Sequence, residues 1–221
     1  MADMRRHAPE PPPGPQGIEF KPGLAQDTAR ELAPLLAEEG IDPANIDATD
    51  PATLQAALNR AAERHNMTRF TPVGHARDLA VATLRQAIQA IAGGDTALAA
   101  AILDQAEPES PGGTAPTVAA CIGVALGLLD DWLTEATGNM PAGLGPRVRL
   151  PAGHWTGHRA ATDILVLARK GRAFASLGTL INSQGGLNVL YGSTLTLAAT
   201  TQTWAELTDA PVSDIACTAI R

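Results

Sequence analysis

The residues best suited to chemistry are His154 and His158, in the run His154-Trp155-Thr156-Gly157-His158. Two histidines four apart share one face if the segment is helical, and two imidazoles on one face can hold a divalent metal. Asp163, or His75 at the helix start after Thr71-Pro72, would complete such a site if the fold brought it near. Gly153 and Gly157 weaken the case for a helix there, and no glutamate follows the first histidine to act as a built-in base. The competing reading places His154 and His158 in a loop or at a helix N-cap, with exposed rings.

The scatter of His75, His154 and His158 over bundle helices resembles the DinB-like bundle proteins, which use three histidines and a divalent metal. The resemblance covers these three residues and no continuous motif. It implies one metal acting as a Lewis acid, or lowering the pKa of a bound thiol or water.

A second constellation is basic: Arg147, Arg149, Arg159, Arg169, Lys170 and Arg172, with Asp163 the single acid among them. Such a run can hold a phosphate or touch nucleic acid. Against this, Arg169, Lys170 and Arg172 fall where a helix C-terminus favours cations, and the run lacks the interleaved aromatics of a nucleic-acid surface. Asp130-Asp131 has Thr134 where an aspartate-rich diphosphate motif needs another acid, so it reads as a solvated turn at a helix end.

The least ordinary feature is the uncharged stretch 173–205. Its Asn182, Gln184 and Asn188 could line a small-molecule pocket between helices, with Tyr191 and Trp204 as walls. A buried central hairpin or a self-association face is the commoner meaning of so long a charge gap.

The elements that must carry these residues read as helices. Thr28 and Glu31 fit a capping box, and Gly40 supplies a stop. Asp50 before Pro51 reads as an N-cap, with Leu54, Ala57, Leu58 and Ala61 following at helical spacing. Thr71-Pro72 repeats that device for a stripe of Ala80, Leu84, Ala87, Ile88 and Ile91, which Gly93-Gly94 ends. Asp95 restarts a short helix, and Pro116 opens another that runs to about Glu135.

The span 138–153 reads as a long exposed connection, and helices centred on Ile164, Leu177, Leu190 and Ile215 follow it. The expected fold is all-α: an irregular helical bundle of about seven to nine helices. Residues 1–22 form a disordered Pro-rich tail, 23–67 a peripheral acidic helical segment, and 68–221 the bundle core.

Composition narrows the function classes. The net charge of -7 and pI near 5.1 argue against general attraction to nucleic acid or anionic membrane. All of the excess acid lies in residues 1–110, which carry 16 acidic against 9 basic side chains, whereas 111–221 carry 7 of each. Two cysteines, Cys121 and Cys217, both read as plain core thiols, point to a reducing compartment and a cytoplasmic location.

Arg5 and Arg6 are followed by prolines and not by an apolar signal region. The apolar run 118–129 is about half of the roughly 20 residues a bilayer span needs.

These features support a non-enzymatic module that binds a protein partner or a second copy of itself, with no cofactor and no membrane. The alternative, from a different class, is a small enzyme with one divalent metal on His75, His154 and His158. A weaker alternative is nucleic-acid binding through the 147–172 basic run.

Overall fold

The computed structural model describes residues 33–34, 36–42, 51–109, 112–136, 138, 140–153 and 155–221. The Pro-rich segment 1–22, the Thr28/Glu31 pair, Asp50 and His154 lie outside the described residues. The architecture is an all-α helical bundle. Among the described residues nine helices have both ends defined and no strand occurs. The chain divides into two compact units, Met1–His65 and Asn66–Arg221.

In the first unit Leu36, Ile41 and Ala57 form a small core with Leu54 against it. Gly40 takes the left-handed conformation, and the Ile41 N–H reaches the Leu36 carbonyl at 3.0 Å. The Gly40 N–H donates to Ala37, which completes a Schellman stop of the kind the glycine predicts. Helix α1 (Pro51–Phe70) buries Ala57 and Ala61, two residues of its expected stripe.

The second unit holds α2 (Gly74–Ala92), α3 (Thr96–Leu103), α4 (Val118–Leu133), α5 (Leu144–Arg147), α6 (His158–Ala168), α7 (Leu177–Gln184), α8 (Gly186–Thr208) and α9 (Val212–Ala219). All five residues of the predicted α2 stripe are buried. Asp95 caps α3 by accepting from the Leu98 N–H at 2.9 Å, and Thr117 caps α4 by accepting from Ala120 at 3.2 Å.

Two expectations need correction. Thr71 does not open α2: its hydroxyl donates back to the Met67 carbonyl, closing α1, and α2 begins at Gly74. Nor is 138–153 exposed throughout. Its middle forms the single turn α5, with Leu144, Gly145 and Val148 buried. The turn seats that deeply because Gly145 has no side chain; a Cβ there would lie 2.6 Å from the Leu133 carbonyl oxygen.

Helix α8 is the axis of the unit and packs against every other helix in it. Its buried hydroxyls bond their own helix. Thr194 donates to Leu190, Thr196 to Gly192, Thr200 to Thr196 and Thr201 to Leu197, each at 2.8 Å. Burying those hydroxyls therefore leaves no hydrogen bond unmade. The part of the charge gap from Val189 to Thr201 is thus the buried stretch of a central helix.

Helices α8 and α6 approach each other closely. A Cβ on Gly192 would lie 2.7 Å from the Ala161 nitrogen, and one on Gly157 would lie 2.6 Å from the Gly192 nitrogen. Small residues at both positions let the two backbones touch, which fixes α6 and the side chains it carries.

The two cysteines part company. Cys121 is buried in α4, and burial pushes its thiol up to about 12. Cys217 is exposed, because α9 buries Ile215 and Ala216, with Ile220 buried at its C-cap, and leaves Cys217 on its other face. The reading of both as core thiols is corrected accordingly. A thiol reagent at neutral pH is expected to label one cysteine per native chain and a second only after denaturation. Two fast thiols, counted by absorbance or mass, would contradict this placement.

Candidate functional site

The sequence places a single turn, α5, between two longer helices, and its last carbonyls have no helical partner. Two arginines meet that need. Arg149 donates through Nη1 to the Pro146 carbonyl at 2.5 Å and the Val148 carbonyl at 2.9 Å. Arg169, at the C-cap of α6, donates through Nε to Gly145 at 3.0 Å and through Nη2 to Val148 at 2.8 Å. Both guanidinium groups therefore converge on one atom, the Val148 carbonyl oxygen.

These residues border an open cleft of about 860 Å³ between α4, α5 and α6. Its α6 wall consists of His158, Thr162, Leu165 and Arg169, spaced four, three and four residues apart, one helical stripe. Pro146, Leu150, Pro151 and Ala152 supply its accessible apolar surface, with Leu133 and Val148 buried behind it. No acidic side chain lines the cleft, and neither arginine forms an ion pair among the described residues. Desolvation depresses the Arg169 pKa, and the like charge of Arg149 lowers it further. Two neighbouring cations thus lack a counter-ion while several N–H donors stay free, since each guanidinium carries five.

The other members of the basic run lie apart from the cleft. Arg147, Arg159, Lys170 and Arg172 are exposed and do not line it. Lys170 and Arg172 follow the α6 C-terminus, as the helix-dipole reading expects.

Of the three histidines, His158 begins α6 with its ring half-buried at the cleft, and its Nδ1 is buried with no hydrogen-bond partner. His75 is exposed near the start of α2, and His154 lies outside the described residues. Gly157, with φ of 74°, is the N-cap of α6, so the helix starts at the second histidine of the pair. Among the described residues no three His, Cys, Asp or Glu side chains gather into a metal-binding group.

The polar cluster of the charge gap does not come together as one pocket. Tyr191 and Trp204 are thirteen residues apart on α8, about 20 Å at 1.5 Å per residue. They face different neighbours. The Tyr191 hydroxyl donates to Asp104 at 2.7 Å, and burial together with that bond and charge pushes its pKa up to about 12. Trp204 packs edge-on against Trp132, with ring centroids 5.3 Å apart.

Asn182 is exposed on α7, Gln184 donates to Asp163 at 2.9 Å, and Asn188 donates to the Gln184 carbonyl at 2.8 Å. Gln184 thus ties α7 to α6, and Asn188 ties α8 to the end of α7.

Sequence reasoning missed Thr162, Leu165 and Leu150 as site residues. The four-three-four stripe from His158 to Arg169 was there to be read, but only a turn packed opposite turns a helix stripe into a cleft wall. Asp130 was also misread. Its carboxylate is half-buried and accepts from the Ala173 N–H at 2.8 Å and the Phe174 N–H at 2.9 Å, whereas Asp131 is exposed.

The chain matches no family model, no curated protein and no solved structure.

Proposed function

We propose that this chain is a binding module whose ligand seat is the α5–α6 cleft and whose ligand is a small molecule bearing an anionic group. The observation that carries the reading is the Arg149/Arg169 pair, two guanidinium groups on one carbonyl without a carboxylate between them. In a chain with a net charge of -7, a concave site whose charged lining residues, among the described ones, are both arginines favours an anion over the rest of the surface. Guanidinium forks suit carboxylate and phosphate oxygens. The volume of about 860 Å³ falls within the roughly 300–1,000 Å³ of small-molecule sites.

This keeps the binding-module class expected from the sequence and gives it a ligand other than a protein or a second copy. The metal-enzyme reading depends on His154 and contributes nothing here. Nucleic-acid binding would have to use Arg147, Arg159, Lys170 and Arg172, which the cleft does not gather.

Thermal unfolding in the presence of carboxylate and phosphate compounds tests the proposal. A ligand at about a hundred times its Kd adds about 2.7 kcal/mol, roughly 5–10 °C for a chain of this size. The shift is expected to shrink with added salt and to fall sharply in Arg149→Gln. Absence of any shift beyond that given by neutral analogues would overturn the reading.

A further inference from the structure

The cleft has a direction. His158, Thr162, Leu165 and Arg169 follow one another along α6, and eleven residues at 1.5 Å each place the two ends about 16 Å apart. All of the fixed positive charge sits at the Arg169 end, because Arg149 and Arg169 share the Val148 carbonyl. Leu150, Pro151 and Ala152 line the cleft without charge, and the α6 wall at the far end carries Thr162 and the His158 ring. An inorganic anion would fill a small part of such a volume and leave the apolar surface uncovered. A ligand matched to it has its charge at one end and an extended apolar body.

Resting on the reading above, we infer that the ligand is an amphipathic acid, an unbranched aliphatic chain ending in a single carboxylate, bound with its head on Arg149 and Arg169 and its chain along α6 toward Thr162. The head takes the guanidinium donors that the α5 carbonyls leave free and neutralises two adjacent cations. The chain covers the Leu150 and Pro151 surface. Hydrophobic burial makes affinity climb with chain length until the cleft is filled, by about tenfold for each added pair of methylenes.

Calorimetric titration of the full chain with acetate, hexanoate, octanoate, decanoate and dodecanoate, each below its micelle threshold, reads this directly. Decanol and inorganic phosphate serve as controls. The expected result is an affinity that rises steeply from acetate to decanoate, with decanol at least tenfold weaker than decanoate. Arg149→Gln weakens every acid by a similar factor.

Thr162→Tyr alters an exposed position and fills the far end of the cleft. It lowers the affinity for dodecanoate and decanoate while leaving hexanoate nearly unchanged.

Acetate or phosphate binding as tightly as decanoate would overturn the amphipathic inference and leave the anion site standing. Decanol binding as tightly as decanoate, with no effect of Arg149→Gln, would overturn the anion site itself. If no acid binds, both fall.

Discussion

Gly123→Ala is expected to lower the unfolding temperature by roughly 10 °C, whereas Gly127→Ala, one turn along the same helix, raises it by about 2–3 °C. Both glycines lie in α4, and both lack the positive φ that would make any side chain strained. Their surroundings decide the sign. A Cβ at Gly123 would fall 2.6 Å from the Phe70 carbonyl carbon and still nearer its oxygen, so the Phe70 backbone rests on the α4 backbone itself.

Backbone cannot move aside as the tip of a flexible side chain does. An overpacked site of this kind costs about 3 kcal/mol, and a domain of this size loses roughly 2–4 °C per kcal/mol. At Gly127 nothing lies within 4 Å of the added carbon, and alanine gains about 0.5–1 kcal/mol of helix propensity. Paired melts followed by circular dichroism check both signs. A Gly123→Ala protein melting within a degree or two of the parent would refute the close contact.

Asp130→Ala is expected to cost about 3 kcal/mol at neutral pH, since two N–H donors at 173 and 174 lose their acceptor together. The neighbouring exposed Asp131→Ala serves as the control and should stay within about 0.5 kcal/mol. Urea midpoints of the two variants separate the roles, and similar losses would show that the carboxylate at 130 does not hold the 171–174 turn.

The pH dependence has a definite sign. Burial, opposed by the two N–H bonds and reinforced by Asp131, holds the Asp130 carboxyl above the ordinary carboxylate range. The folded chain therefore keeps this proton more tightly than the unfolded chain. The contribution of Asp130 ionisation to stability is greatest below the ordinary carboxylate pKa and declines as pH rises through that value to the raised one. The stability gap between the parent and Asp130→Ala should narrow as pH climbs across roughly 3 to 6, and a widening gap would contradict the burial argument.

What could be read ahead of the structure was whatever a short window contains. The α2 stripe, the Asp95 cap and the Gly40 stop depend on neighbours within a turn or two, and each holds. The α6 stripe obeys the same rule, yet its role depends on α5, a turn made possible by one missing Cβ at Gly145. No local pattern announces that a glycine will sit against a carbonyl twelve residues earlier.

The Asp130 misreading has the same origin, for its partners lie more than forty residues downstream. Tyr191 and Trp204 failed as a pair for a geometric reason that the sequence did contain. Thirteen helical residues span about 20 Å, which no single small pocket bridges.

The hydroxyl-studded axis has a consequence for how such a chain is made. At 23 residues α8 is long enough to cross a bilayer, for which about 20 apolar residues suffice. Built from leucine and valine alone, it would present a newly synthesised segment that an insertion machinery accepts. Its threonines and Ser193 lower its hydropathy, and no described helix is long and apolar enough to cross a membrane. Because each of the Thr194, Thr196, Thr200 and Thr201 hydroxyls is satisfied by its own helix, the same side chains then enter the interior without penalty. The segment is tolerable to water while it waits for its neighbours and tolerable to the core once they arrive.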